Sequence, residues 1–269
     1  MSLIWMVIIP AAVTAAWFRY RSIAAETTRP ASPKPFLSNP EPENPWGTHS
    51  HQRDTQWLHE LFERSAATFP ELTALSVACS GETLSYRALN ERAEQFKNCI
   101  GFYLSGPDQV VAVRLEQNTA DIVAIHLAIL KAGGVQLFLD PEAPEAVCQQ
   151  TLLDAAPVLL ISDESVAGVD VPVLRPDELQ LNQYADAAAQ NLEDMTPRQE
   201  QSPAWLDDPQ ERLASIFYTS GTTGAPKGVE CHHAGYINLA KSYAQFFDLV
   251  PESDATSLTS SLGYDGSIS

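Results

Sequence analysis

Residues 215–229 read SIFYTSGTTGAPKGV, an apolar run that breaks into glycines, hydroxyls and a lysine. Thr219, Ser220, Gly221, Thr222, Thr223 and Gly224 offer backbone N–H groups and hydroxyls in a segment whose glycines permit tight, left-handed turns. Such groups, made to converge, cradle an anion. Lys227 adds a point charge suited to phosphate, and Pro226 before it fixes one backbone angle and limits how the loop can relax. The chemistry implied is the holding of a nucleotide's phosphates. The spacing is not that of the P-loop Gly-x4-Gly-Lys-Ser/Thr, because Pro226 stands five residues past Gly221 and Val229 five past Gly224.

Metal chemistry is not indicated. His49 and His51 near Asp54 lie in a proline-rich linker, while His232 and His233 beside Cys231 are expected to alternate across a strand. No metal ligand is assigned. Cys79, Cys99, Cys148 and Cys231 are far apart and form no Cys-x-x-Cys pair, so neither a zinc site nor a disulfide framework is expected and the thiols are read as reduced.

A loop of this kind needs strands and helices to hold it. Leu213–Tyr218 supply an apolar strand leading in, and GYINLAKSYAQFF (235–247) a helix leading out. Upstream, Leu58, Leu61, Phe62, Ser65, Ala66 and Phe69 follow helical spacing, and LTALSVA reads as a strand. Leu89, Ala93, Phe96, Ile100 and Leu104 mark a second helix entered near Ser85, before the strand VVAVRL at 110–115. Asn118 is expected to cap the helix ADIVAIHLAILKAGG, which ends with Lys131 in its last turn and Gly133 after it. Its apolar residues wrap most of the circumference, so it should be buried, with His126 a core histidine. The strand QLFLD, a helix around CQQTLLDAA and the strand VLLIS complete the βαβ rhythm of a largely parallel sheet. Residues 183–211 form a polar connection, and the Asp207-Asp208 pair within it reads as a solvated loop.

Composition is that of a globular chain of one large or two modest domains: 269 residues, 45% hydrophobic and 19% charged. Net charge is −18, with residues 1–50 near balance and the remainder strongly acidic, a surface that repels nucleic acid. The first eighteen residues, MSLIWMVIIPAAVTAAWF, carry no charge and precede Arg19 and Arg21. Residues 1–22 are therefore a candidate membrane anchor, whose trailing basic residues would keep the folded part in the cytoplasm. The span is short, contains Pro10 and lacks a basic leader, so an apolar tail is the competing reading. Residues 23–54, with Pro30, Pro33, Pro35, Pro40, Pro42 and Pro45, form an extended linker, and the folded part occupies 55–269.

The pattern YTSGTTGAPKGV resembles the phosphate-binding signature of the adenylate-forming superfamily, which includes acyl-CoA synthetases, luciferases and adenylation domains of nonribosomal peptide synthetases. LHELFERSAATFPELTALSV resembles the opening helix and strand of peptide-synthetase adenylation domains, and LSYRALNERAEQF their Leu-Thr-Tyr-x-Glu-Leu helix. LKAGGVQLFLDPEAP resembles their Leu-Lys-Ala-Gly-x-x-x-x-Pro-Leu-Asp segment. Three departures stand out: Ala88 replaces Glu, Phe138 replaces Pro, and His232 replaces the Glu that precedes the histidine matched by His233. The terminal LGYDGSIS resembles the Phe-Asp-x-Ser motif, with Tyr264 for Phe and Asp265 for the aspartate that meets a substrate α-amino group.

The resemblance implies an α/β fold of layered βαβ sheets with flanking helices, the front portion of the family's large domain. It implies in-line attack of an amino-acid carboxylate on the α-phosphorus of ATP, giving an aminoacyl adenylate and pyrophosphate, then transfer to a carrier thiol. Residues 219–224 and Lys227 would orient the β and γ phosphates and stabilise charge on the leaving group. Asp265 would pair with the substrate ammonium. Full members run nearly twice as long and carry their magnesium ligand, ribose-binding aspartate, hinge and catalytic lysine further downstream. This chain is accordingly expected to be incomplete, inactive alone, and to expose sheet edges that missing partners would cover. Three readings stay open: the front of an amino-acid-activating ligase, a membrane-tethered non-catalytic interaction protein or remnant, and an acyl-CoA synthetase, with Asp265 separating the first from the third.

Overall fold

Strands buried on both faces need helices on both sides, and the apolar runs VVAVR and LLIS meet that requirement at the centre of a parallel sheet. A computed structural model describes residues 6–8, 57–116, 119–180, 211–219, 226–247, 254–258 and 262–263. All belong to one unit formed by residues 1–17 and 55–269. The expected linker 23–54, the connection 183–210 with Asp207 and Asp208, and His49, His51 and Asp54 lie outside the described residues.

The elements in chain order are β1 (Met6–Ile8), α1 (Leu58–Thr68), β2 (Thr73–Val77), β3 (Thr83–Ser85), α2 (Tyr86–Gly101), β4 (Val110–Arg114), α3 (Asp121–Lys131) and β5 (Val135–Phe138). They continue with α4 (Glu145–Ala155), β6 (Leu159–Ser162), β7 (Val173–Leu174), α5 (Pro176–Gln180), β8 (Leu213–Thr219), β9 (Lys227–His232), α6 (His233–Phe246) and β10 (Thr256–Leu258). The larger sheet runs β7-β6-β4-β5-β8-β9, parallel except for the antiparallel edge strand β9. This is the expected βαβ arrangement. Alternation along β4 divides the core: Val111 and Val113 face a cluster built with α1, α2, α3 and α6, while Val110 and Ala112 face the side covered by α4.

The four-stranded antiparallel sheet β10-β1-β2-β3 corrects one expectation. Met6–Ile8, in the middle of the candidate membrane anchor, pair with both β2 and β10 and so form a strand rather than part of a membrane helix. The rest of that segment lies outside the described residues. Among the described residues no helix is long and apolar enough to cross a membrane.

The helix signals act as their chemistry requires. Ser85 caps α2, its hydroxyl accepting the N–H of Ala88 at 3.2 Å. Lys131 closes α3 and Gly133 follows at a φ of 77°, a conformation that costs a residue without Cβ little. The residue at the start of α3 is Ala120, with no side-chain cap, so Asn118 does not occupy the cap position; Asn118 itself is outside the described residues. The Lys131 side chain is 2% exposed and donates to Glu63 on α1 at 2.5 Å and to Glu94 on α2 at 2.6 Å, tying three helices together.

Candidate functional site

β8 and β9 form a hairpin whose register runs from Leu213 opposite His232 to Thr219 opposite Lys227. The glycine and hydroxyl segment is the connection between them, so it leaves the sheet at the carboxyl end of β8. β8 is parallel to β5, which places that connection at the edge where open α/β sheets bind ligands. Thr219 and Lys227 frame its mouth as the last paired residues of the two arms. Lys227 is exposed and, among the described residues, has no ion-pair partner. Ser220, Gly221, Thr222, Thr223, Gly224 and Asp265 lie outside the described residues, so of the expected site residues the structure brings together Thr219 and Lys227.

The hairpin is held at three heights. At its base, Asp108 adopts a left-handed φ of 52°, accepts the Leu213 N–H at 3.2 Å and pairs with Arg212 at 3.1 Å. At mid-height, the buried hydroxyls of Ser215 and Tyr236 meet at 2.6 Å and join β8 to α6. Near the loop, Tyr218 donates to Asp154 of α4 at 2.6 Å. Gly228 lets the two arms approach closely beside this contact: a Cβ there would meet Cζ of Tyr218 at 3.2 Å and Cγ2 of Ile216 at 3.2 Å, and these side chains would have to give by a few tenths of an ångström. Beside Tyr218 opens a cavity of about 250 Å³, lined on the β5 side by Leu137, Phe138 and Asp140, and elsewhere by Cys148, Thr151 and Gly263.

His232 and His233 do not alternate on a strand as expected. His232 ends β9 and is exposed, whereas His233 opens α6 and is 2% exposed. Its Nδ1 accepts the Leu58 N–H at 3.1 Å, satisfying one of the orphan amides at the start of α1. Burial, aided by His59 and His232, pushes its pKa down to about 3, so it is neutral and structural. His126 is buried as expected and also pushed down by burial to about 4, with its ring stacked on Phe138 at 6.1 Å. The departure at Phe138 thus has a packing partner. Among the described residues no group of three or more His, Cys, Asp or Glu could hold a metal ion.

Sequence reasoning missed Asp108, Asp154 and Gly228. Gly228 stood inside the quoted motif, next to Lys227, where a glycine within a strand is itself a signal of close approach. Asp108 and Asp154 carried no local signal, because their partners lie 104 and 64 residues away.

The chain is 34% identical over 231 residues to tyrocidine synthase 2 of Brevibacillus parabrevis, covering 82% of this chain and 6% of that protein. It is 33% identical over 217 residues to tyrocidine synthase 1 of the same organism, covering 78% of this chain and 18% of that protein. Among solved structures, the nonribosomal peptide synthetase FmoA3 superposes with a TM-score of 0.60 at 26% identity, over 79% of this chain and 21% of that one. The Klebsiella oxytoca NpsA N-terminal subdomain, bound to 3-hydroxybenzoyl-AMSN, shares the fold at a TM-score of 0.52 and 23% identity, over 66% of this chain and 41% of that one. The chain therefore spans a small part of the curated relatives it matches. The family model for the AMP-binding enzyme matches residues 62–269, and the chain belongs to the family of AMP-binding enzymes.

Proposed function

We propose that this chain supplies the phosphate-binding front part of an adenylation domain that activates an amino acid with ATP. The carrying observation is the β8–β9 hairpin, with Lys227, exposed and without an ion pair among the described residues, at the mouth of a loop rich in N–H and hydroxyl donors. An exposed ammonium framing such a loop suits the β and γ phosphates of ATP, which lies at the carboxyl edge of the sheet in this reading. The reaction is attack of a substrate carboxylate on the α-phosphorus, with the acyl adenylate and pyrophosphate as products. Lys227 and the N–H groups of residues 219–224 offset the charge growing on the leaving pyrophosphate, and they do so without reorganisation if the hairpin holds them in place.

An amino acid is favoured over a plain fatty acid because FmoA3, which shares this fold, is a nonribosomal peptide synthetase. Asp265 is the proposed partner of its ammonium. A carrier-protein thiol is the proposed acceptor, and one structure of this fold is an artificially fused adenylation–PCP di-domain. Reaction with ATP puts the folded part in the cytoplasm. Magnesium is expected to accompany the nucleotide; among the described residues no group of three or more His, Cys, Asp or Glu could hold it.

The test is ATP–pyrophosphate exchange by the native polypeptide, captured with an antibody to residues 55–269, against a panel of amino acids. Exchange that depends on one amino acid and is lost in Lys227→Met supports the reading. A native polypeptide that binds no ATP sinks it. Replacement of Asp265 by Asn should abolish amino-acid dependence while leaving ATP binding intact.

A further inference from the structure

β8 leaves its parallel neighbour early. The ladder between β5 and β8 has one registered pair, Gln136 with Ser215, so among the described residues the backbone of Ile216–Thr219 is laddered to β9, while Phe217 is buried in the core and Ile216 and Tyr218 pack on the side covered by α4. The cavity beside Tyr218 opens in this gap, with Leu137–Asp140 on one wall and Tyr218 on the other. At their upper end the two arms are therefore held to the rest of the fold by side chains rather than by a second ladder, and a two-stranded hairpin depends on such packing.

What crosses the gap is the phenol of Tyr218. Its hydroxyl donates to Oδ2 of Asp154 at 2.6 Å, reaching α4, whose Cys148 and Thr151 form the far wall of the cavity. Its ring lies close over Gly228, where a Cβ would meet Cζ of Tyr218 at 3.2 Å and push the ring by a few tenths of an ångström. Tyr218 is thus joined to the opposite arm through the residue that follows Lys227, and it immediately precedes Thr219. Burial and the adjacent Asp154 carboxylate both hold the phenol in its protonated, donating form.

We propose that Tyr218 and Asp154 are positioning residues, a brace from α4 that fixes the height and angle of the two arms carrying the phosphate loop. The brace acts on ATP through Thr219 and Lys227 and touches no nucleotide atom itself. Its effect on ATP binding rests on the proposed function, whereas its effect on the hairpin does not.

Two readouts on the full chain separate these. Hydrogen–deuterium exchange without nucleotide is compared for wild type, Tyr218→Phe, Asp154→Ala, Asp154→Asn and the double variant Tyr218→Phe/Asp154→Ala. Loss of one hydrogen bond to a carboxylate should speed exchange of amides in 216–219 and 227–230 by roughly 5- to 10-fold, with little change in β4 or β6. The double variant should exchange no faster than either single one, and Asp154→Asn, which keeps an acceptor oxygen, should recover much of the protection. ATP binding by calorimetry should weaken in the same rank order. Unchanged exchange in the arms, or additive effects of the two substitutions, overturns the brace. Wild type that binds no ATP overturns the phosphate reading instead, and the exchange pattern still decides whether the brace exists.

Discussion

Lys227 is the residue on which the phosphate reading turns, and its environment makes the prediction sharp. It is exposed and, among the described residues, carries no ion pair, so removing its charge should cost the fold almost nothing. Lys227→Met should weaken ATP binding roughly tenfold, about 1.4 kcal/mol, with an unchanged melting temperature. Calorimetric titration beside a thermal melt checks both halves, and a variant that melts early would assign Lys227 to stability. The opposite case is Gln136, which is fully buried on β5 while hydrogen bonds of standard geometry reach neither end of its amide. It lies close enough to His126 to raise that imidazole's pKa against the larger effect of burial, yet Nδ1 of His126 also lacks a well-formed bond. Two poorly satisfied polar side chains in one core spot oppose folding. Gln136→Leu should therefore stabilise the chain by about 1 kcal/mol, read as a higher urea midpoint at constant slope. A lower midpoint would mean that the amide is satisfied in solution.

At the scale of elements, the helix ends and inner strands were legible because their signals are local. Ser85, Lys131 and Gly133 each act within one turn of their own helix, and the runs at 110–114 and 159–162 announce burial on both faces by composition alone. The antiparallel sheet was not legible, since β1 pairs with β10 some 250 residues away and no local pattern encodes that choice. The same holds for the site: the loop declared itself through a compact motif, while its supports Asp108, Asp154 and Tyr236 come from other elements. Lys131 joins both kinds of information, a visible helix-terminal charge with an unforeseen use. Its ammonium is buried between Glu63 and Glu94; burial would raise the Glu94 pKa, but the hydrogen bond and charge of Lys131 hold it below the ordinary value. Lys131→Met would leave two carboxylates facing each other across the junction of α1, α2 and α3. Both carboxylates are more than a third exposed, which screens the repulsion, so the expected loss is about 2 kcal/mol rather than the 3–5 typical of fully buried pairs. Denaturant unfolding at low and high salt checks it, and an effect below about 0.5 kcal/mol would make the triad a surface pair in practice.

For the whole molecule, the distribution of buried histidines sets a response to acid that no single element reveals. His126 and His233 are 8% and 2% exposed, on α3 and α6, and burial pushes their pKa values down to about 4 and about 3. In the unfolded chain both return to about 6.5. Between those limits the unfolded state binds protons that the folded state refuses, so stability is complete above about pH 6.5 and falls as pH drops towards the folded values. Each group contributes a slope of up to about 1.4 kcal/mol per pH unit, and the two together roughly 3–4 kcal/mol between pH 7 and pH 5. His59 on α1, half-buried and pushed down to about 4 chiefly by burial, adds a smaller share in the same direction. Glu94, held below its ordinary pKa by the hydrogen bond and charge of Lys131, joins the loss only at more acid pH. The net charge of −18 favours a different sign, since protonation on the way down relieves self-repulsion in the compact state. The two effects separate by salt: repulsion is screened, whereas the exclusion of protons from a buried imidazole is not. The urea midpoint should therefore fall from pH 7 to pH 5 at about 0.5 M salt, and His126→Leu should remove about half of the slope. A midpoint flat over that range at high salt would show that the imidazoles reach water in the folded protein, and that α3 and α6 do not seal the core as described.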